Sequence, residues 1–240
     1  MIRMALQRGI AMAIACCLMF GVAYAEGRSD EDKARDAQRK PAEVLEFLGL
    51  KSGDTVLDIW ASGGWYTEVL SDAVGPEGKV YSQNSPRVLA FRDGYYDKAL
   101  SERLAGGRLA NVVRVDQALS DGPIEADSVD LAITALNLHD VYNREGEEAT
   151  VAFFESVMAV LKPGGVLGVI EHVGAADADN VSLHRMQPGQ AKATATAAGF
   201  VIEAESDVLA NAEDDHTQGV FAPDIRGKTD RFILKLRKPE

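Results

Sequence analysis

Residues 51–70 read KSGDTVLDIWASGGWYTEVL and predict a buried strand, a glycine-containing turn and the start of a helix. The strand is expected at Thr55–Ile59, a β-branched and apolar run with turn residues on both sides. Trp65, Val69 and Leu70 then recur at helical spacing. Because glycine has no Cβ, such a turn lets backbone N–H groups and the helix N-terminus approach a ligand closely.

Strands and helices alternate along the rest of the chain. Further strands are predicted at Lys79–Gln83, Asn111–Val115, Ser128–Thr134, Val166–Ile170, Phe200–Ser206 and Phe232–Leu236. Apolar inner strands that alternate with helices predict a mostly parallel sheet covered on both faces. The last two strands lack a helix between them, which predicts an antiparallel hairpin at one edge. The expected fold is a single Rossmann-like, three-layer α/β domain with a sheet of about seven strands.

The N-terminus has the three parts of a secretory signal peptide. Arg3 and Arg8 supply positive charge, Gly9–Val22 forms an apolar core, and Ala23-Tyr24-Ala25 is a small-x-small cleavage site. An uncleaved membrane anchor is the alternative, but the apolar run is shorter than the roughly 20 residues that span a bilayer. We therefore expect residues 1–25 to be a signal peptide and residues 26–240 to form one periplasmic domain.

Cysteine content and charge narrow the classes of function. Cys16 and Cys17 are the only cysteines, so signal cleavage excludes a disulfide, a catalytic thiol and a cysteine metal site. A lipoprotein signal through either cysteine is a weaker alternative, because the residues after them stay apolar. Cleavage removes two of the 25 basic residues and leaves 23 against 37 acidic ones, a net charge of −14. That charge argues against nucleic acid and anionic membranes as partners, because phosphate binding needs a basic surface.

The first strand and turn resemble motif I of the class I S-adenosylmethionine (SAM)-dependent methyltransferases. In that motif an acidic residue is followed by glycines at alternate positions; Asp58 and Gly64 match its first and last positions. Trp60 and Ser62 stand where glycines are usual, and Gly63 partly compensates. Lys162-Pro163-Gly164-Gly165-Val166-Leu167 is similar to the turn before the fifth strand in many members, and the order of elements agrees with the family's plan.

The chain is most similar to a poorly characterised bacterial group of predicted methyltransferases with signal peptides. The resemblance covers nearly the whole mature chain, and it is carried by Trp65-Tyr66, His139-Asp140 and the segment His216–Pro239. It implies a fold and SAM as cofactor, but no substrate.

Ligands of open α/β sheets bind beyond the carboxyl ends of the strands, near the point where the strand order reverses. The resemblance implies that Asp58, Trp60, Ser62, Gly63 and Gly64 cradle the methionine part of SAM. Further cofactor-binding candidates follow the next three predicted strands: Gln83 and Asn84, Asp116, and Asn137. The family usually has an acidic residue at the position of Gln83-Asn84, where it holds the ribose hydroxyls, whereas Asp116 matches the position that often contacts adenine.

His139 and Asp140 are the candidate catalytic residues. Imidazole titrates near neutrality, so His139 beside a carboxylate is suited to general base catalysis; a structural, hydrogen-bonded histidine is the alternative. Tyr66, His172 and His216 are candidate substrate contacts. A metal site from His139, Asp140, His172, Asp214 and His216 is conceivable, but no tight ligand spacing supports it, so none is predicted.

The expected function is SAM-dependent methylation of an unidentified small molecule, with His139 assisting deprotonation. SAM is made in the cytosol, which conflicts with export. The alternative is therefore a non-catalytic ligand-binding protein on a methyltransferase scaffold, in which Trp60 and Ser62 fill the methionine site. A nicotinamide oxidoreductase is a weaker option, because the glycine pattern fits GxGxxG poorly. The sequence predicts no oligomeric state.

Overall fold

The computed structural model describes residues 27–240, so the predicted signal peptide lies outside the described residues. The strands are β1 Thr55–Ile59, β2 Lys79–Gln83, β3 Val112–Val115, β4 Val129–Ala135, β5 Leu161–His172, β6 Val201–Ser206 and β7 Arg231–Arg237. They form one sheet in the order β3-β2-β1-β4-β5-β7-β6. β7 runs antiparallel to β5 and β6, and the other pairs are parallel. The predicted fold class is confirmed.

Helices cover both faces of this sheet. They are α1 Asp30–Ala34, α2 Asp36–Arg39, α3 Pro41–Leu48, α4 Trp65–Val74, α5 Pro86–Leu89, α6 Phe91–Leu104, α7 Leu138–Val160, α8 Asn180–Leu183 and α9 Pro188–Ala197. Side chains of β1 alternate between two cores: Val56 packs with α3 and α4, whereas Leu57 and Ile59 pack with α7 and α9. The apolar runs of the inner strands follow from burial on both faces.

The amphipathic pattern of Ala149–Leu161 predicts a helix there, but the helix of the structure begins earlier. α7 starts at Leu138, with a break at Gly146 (φ 89°, ψ −175°), and ends at Val160. The polar run before Ala149 hides its first turns, because its apolar residues are few. As a consequence, His139 and Asp140 lie in the first turn of a helix that begins directly after β4.

Residues 26–40 are highly charged and predict a solvated lead-in to the domain, but the part that the structure describes, from residue 27, is partly packed. Asp32 is buried and accepts a hydrogen bond from Arg103 Nη1 (2.8 Å), while its carbonyl accepts one from Trp65 Nε1 (3.0 Å). Arg103 also ion-pairs with Glu68 and donates through Nε to the Gly63 carbonyl at 2.8 Å. The lead-in therefore braces the β1–α4 loop from outside.

The segment between β6 and β7 is also anchored rather than solvated. The polar sequence Glu213–His216 predicts a solvated loop, but the Asp214 side chain is 1% exposed. Asp214 accepts two hydrogen bonds from the buried guanidinium of Arg185, at 2.8 and 3.0 Å. A buried carboxylate needs such a partner, which lies far away in sequence.

Within residues 27–240, the structure has no helix of the length and apolarity needed to span a membrane.

Candidate functional site

The candidate site lies where the strand order reverses. β1 pairs with β2 on one side and with β4 on the other, so the chain leaves β1 in one direction and later returns on its opposite side. The carboxyl edge at such a switch point is the usual ligand-binding crevice of an open α/β sheet. The loop of residues 60–64 connects β1 to α4 at this edge.

The backbone of this loop keeps glycine-like conformations where glycine is absent. Trp60 (φ 51°) and Ser62 (φ 53°) are both left-handed, as is Gly64 (φ 80°). Such angles are uncommon for residues with a Cβ. Gly64 is also restricted by space, since a Cβ there would lie 2.8 Å from Leu100 Cδ1. The loop thus retains the path of an alternating-glycine turn despite the two substitutions.

The indole of Trp60 is half-buried at the edge of the core. It packs edge-on against Phe153, with ring centroids 6.1 Å apart, and the Arg87 guanidinium lies 5.9 Å from the ring. Its carbonyl accepts a hydrogen bond from Asn137 Nδ2 at 3.4 Å. The predicted cofactor residue Asn137 therefore links the end of β4 to the loop after β1.

Gln83 and Asn84 bind the loop instead of facing solvent. Gln83 Oε1 accepts from the Trp60 amide (3.2 Å), and Asn84 Oδ1 accepts from the Ser62 amide (2.8 Å). Gln83 Nε2 donates to the carbonyl of Gln117 at 2.7 Å. Both side chains are fully buried, so contact with a ribose requires these bonds to break.

Asp58 is buried below the loop and orients the first turn of α4. Its carboxylate accepts a hydrogen bond of 2.6 Å from Thr67 Oγ1, and Thr67 Oγ1 lies 2.9 Å from Ser82 Oγ. Burial raises the pKa of Asp58 to about 7, because the hydrogen bonds from Thr67 only partly offset the loss of solvation. Asp116, by contrast, is exposed, and Arg114 Nε donates to both its carboxylate oxygens at 2.8 Å.

Three histidines converge beyond the ends of β4 and β5. Nδ1 of His139 lies 2.9 Å from Glu171 Oε1, and the His139 amide donates to Glu171 Oε2 at 3.1 Å. Burial works to lower the pKa of His139, but the Glu171 carboxylate outweighs it and holds the pKa above its ordinary value. His139 Nε2 lies 4.0 Å from Asp140 Oδ1, and His184 Nδ1 lies 3.8 Å from the same oxygen.

His172 is the third member of this group, and its ring centroid is 5.9 Å from that of His139. Its Nδ1 lies 2.7 Å from Thr229 Oγ1. Burial first, and the positive charge of Arg231 second, hold the pKa of His172 well below its usual value, so the ring is neutral at pH 7. The sequence gives no sign of the role of His184, because His139 and Asp140 lie more than forty positions away and no motif contains it.

The remaining substrate candidates are Tyr66 and His216. Tyr66 is buried among two arginines and apolar side chains: Arg39, Ala135, Leu136, Ile170, Leu209 and Arg231. Burial raises the pKa of Tyr66 to about 12 and lowers that of Arg231 to about 10. His216 is held in the β6–β7 segment by Asp230, with Nε2 2.9 Å from Oδ2.

Comparison with known proteins identifies the fold. No family model matches the chain. Over 130 residues it is 33% identical to the ubiquinone/menaquinone biosynthesis C-methyltransferase UbiE of Pseudomonas paraeruginosa, covering 53% of this chain and 45% of that protein. The chain thus spans less than half the length of this curated relative.

Two solved structures resemble most of the chain. A SAM-dependent methyltransferase from Aquifex aeolicus matches with a TM-score of 0.61 and 22% identity, over 85% of this chain and 95% of that one. The cyclase SpnF matches with a TM-score of 0.60 and 21% identity, over 89% and 84% of the two chains. The chain has the fold of the SAM-dependent methyltransferases, and over 130 residues its sequence is similar to that of UbiE.

Proposed function

We propose that this chain, which has the class I methyltransferase fold, binds SAM at the β1–α4 loop and methylates a small-molecule acceptor. The observation that supports this most is the left-handed backbone at Trp60, Ser62 and Gly64. Strained residues with a side chain cluster at ligand-binding sites, and here two of them stand at alternate positions of the loop. Its place at the switch point of the sheet supports the same conclusion.

Different residues of the chain have different roles in the proposed methyl transfer. Bound SAM would supply a methyl group activated on a sulfonium. The loop backbone would hold the amino-acid part of the cofactor, and Asp58 fixes the adjoining first turn of α4 through Thr67. His139, whose Nδ1 is held by Glu171, presents Nε2 as the acceptor of the proton that a hydroxyl or amine nucleophile must lose. Holding the nucleophile in line with the methyl group is the largest expected contribution.

Isothermal titration tests the cofactor assignment. The purified protein is titrated with SAM and with S-adenosylhomocysteine, and we expect saturable heat with both. ATP serves as the control nucleotide and is expected to give none. Absence of heat with both SAM and S-adenosylhomocysteine would rule out SAM as the cofactor. Only the assignment of the fold would then stand.

The second candidate is a non-catalytic ligand-binding protein on the same scaffold. It is favoured by the bonds of Gln83 and Asn84, which already occupy the amides of Trp60 and Ser62. The similarity to the cyclase SpnF shows only that this fold is not limited to methyl transfer. Native mass spectrometry of protein from the periplasm distinguishes the two: a retained adenosyl compound supports methyl transfer, and another ligand supports the alternative.

Replacement of Trp60 and Ser62 by glycine distinguishes the two candidate functions further. If the side chains of Trp60 and Ser62 fill the methionine site, Trp60→Gly with Ser62→Gly should create S-adenosylhomocysteine binding that the parent lacks. If they only flank the cofactor, the double variant should bind no more tightly than the parent, because two added glycines also loosen the loop.

Export is part of the proposal. The charged start, apolar core and Ala23-Tyr24-Ala25 site support cleavage after residue 25. Mass spectrometry of the periplasmic protein should find an N-terminus at Glu26, whereas Ala25→Tyr should remain unprocessed. The net charge of −14 after cleavage, from 23 basic and 37 acidic residues, supports a small-molecule acceptor over nucleic acid.

A further inference from the structure

We propose that His139, Asp140 and His184 form a binding site for a divalent transition-metal ion, with zinc as the ion that suits the donor set. Two imidazoles and a carboxylate are common ligands of catalytic zinc. The role of the ion in methyl transfer rests on the proposed function, but its binding does not.

The three side chains offer donor atoms around one point. One atom from each of His139, Asp140 and His184 lies within 4.8 Å of the other two. Asp140 Oδ1 is 4.0 Å from His139 Nε2 and 3.8 Å from His184 Nδ1. Donors that share a tetrahedral zinc ion stand about 3.4 Å apart, so the cluster closes onto an ion through small side-chain rotations.

Glu171 supplies the second feature of a metal centre. Metal-bound histidines usually donate their other ring N–H to a carboxylate, which fixes the tautomer and the ring orientation. The buried Glu171 carboxylate lies 2.9 Å from His139 Nδ1 and also accepts from the His139 amide. Nδ1 therefore carries the proton, and the lone pair of Nε2 is free on the side where Asp140 lies.

His184 is held at the cluster by backbone and ring contacts. It follows α8 in a left-handed conformation (φ 56°), which is uncommon for residues other than glycine. Its ring packs edge-on against His139 (5.6 Å between centroids) and against Phe221 (5.0 Å). Phe221 is 63% exposed, so this second contact lies at the protein surface.

Within residues 27–240, Arg144 is the one arginine or lysine that forms an ion pair with Asp140. Its Nη2 lies 3.3 Å from Asp140 Oδ1. Its side chain is 55% exposed, so it can turn into solvent when an ion takes its place. An exposed pair of this kind contributes at most about 1 kcal/mol, which does not prevent metal binding.

A metal with three protein ligands keeps a coordination position open. The cluster lies at the same edge of the sheet as the β1–α4 loop, and Asn137, two residues before His139, contacts Trp60. A hydroxyl of the acceptor bound at the open position would lose its proton to water more readily. The resulting oxyanion attacks the methyl carbon, the carbon–sulfur bond breaks, and S-adenosylhomocysteine leaves. The proposal therefore predicts a hydroxyl acceptor. With an ion bound, Nε2 of His139 is a ligand, and the general-base role given to it above applies to the metal-free protein.

Zinc titration of the chelator-treated protein tests the site, with Co²⁺ absorption as a spectroscopic check. We expect about one ion per chain, as for a single mononuclear site. His184→Asn should weaken zinc binding by at least about tenfold, because asparagine tolerates the left-handed backbone but coordinates poorly.

His216→Asn is the matched control. His216 is also a histidine in a left-handed conformation (φ 63°) beside a carboxylate, but it belongs to the β6–β7 segment. This variant should keep zinc affinity and the Co²⁺ spectrum. Absence of zinc binding in the parent, or equal losses in the two variants, overturns the proposal.

Glu171→Gln tests the positioning residue. Loss of a carboxylate behind a metal-bound histidine typically lowers affinity about 10–100-fold while the ion still binds. Circular dichroism confirms that the variant folds. Two outcomes with the parent protein separate the proposals. If it binds S-adenosylhomocysteine but no zinc, only the metal site is rejected. If it binds zinc but no S-adenosylhomocysteine, only the proposed function is rejected.

Discussion

Trp60 and Ser62 adopt a backbone conformation that costs an L-residue roughly 1–2 kcal/mol at each position. The structure maintains this strain through hydrogen bonds from the two loop amides to Gln83 and Asn84. Strained residues of this kind persist where surrounding contacts over-determine them, and they concentrate at ligand sites. The strain is therefore an argument for function at this loop.

Gly64 is constrained both by its left-handed backbone and by the lack of space for a side chain, and its replacement separates these two effects. Gly64→Ala should destabilise the protein more than Gly94→Ala, by roughly 1–3 kcal/mol, because overpacking adds to the cost of the backbone angle. Both glycines are left-handed (φ 80° and 81°), but an added Cβ at Gly94 meets no atom within 4 Å. Urea unfolding measures the difference, and equal losses would show that the contact with Leu100 is unimportant.

Asp58 should make stability depend on pH. Its pKa is about 7 in the folded protein, against an ordinary value of 3.8, so the native state holds a proton that the unfolded state has released. The stabilising proton is fully present below pH 4, and the free energy of unfolding falls as pH rises to about 7.

Asp58→Asn removes this dependence. Relative to that of the parent, the free energy of unfolding of the variant should rise by up to about 1.4 kcal/mol for each pH unit between roughly 4 and 7. Any constant effect of the amide cancels in the comparison. Unfolding titrations at several pH values measure the gain, and a difference that stays flat across this window contradicts the buried, protonated carboxyl.

At the level of elements, the β6–β7 segment depends on one buried ion pair. Asp214→Ala should destabilise the protein by about 3–5 kcal/mol, because it leaves the guanidinium of Arg185 buried without its partner. Chemical denaturation measures the loss. The control is Glu205→Ala, which removes an exposed partner of Lys192 (3.1 Å) and should cost less than about 1 kcal/mol. Similar losses in the two variants would contradict the role given to burial.

Strands were predictable from the sequence, and tertiary hydrogen bonds were not. Thr55–Ile59 and Lys79–Gln83 agree with the structure residue for residue, because apolar runs between turn residues leave little freedom. The start of α7 was predicted wrongly because the residues before Ala149 are mostly polar, and the packing of Asp214 was missed because its partner Arg185 is remote in sequence. For the same reason, pattern alone selected Gln83 and Asn84 but gave no sign that they bind the loop.

The candidate site was predictable in position but not in its connections. The carboxyl ends of β1, β4 and β5 supply most residues of the site, as the switch-point rule requires. His184 reaches the cluster from a separate connection after β5, and Glu171 acts through His139. Neither relation leaves a periodic or spacing signal in the chain.

At the scale of the whole molecule, a bound cofactor should raise stability. S-Adenosylhomocysteine at 100 times its dissociation constant should add about 2.7 kcal/mol to the free energy of unfolding. For a chain of this size, each kcal/mol raises Tm by about 2–4 °C, so we expect an increase of roughly 5–10 °C. Differential scanning fluorimetry measures it, with ATP as the control. An equal shift with ATP would indicate general nucleotide binding.

A crystal structure with S-adenosylhomocysteine is the most direct test of the central claim, that the loop at the end of β1 holds an adenosyl cofactor. The account predicts the homocysteine moiety against the backbone of residues 60–64, with the Trp60 indole beside the nucleoside. An indole that occupies the place of the nucleoside, with no ligand bound there at saturating concentration, would contradict it.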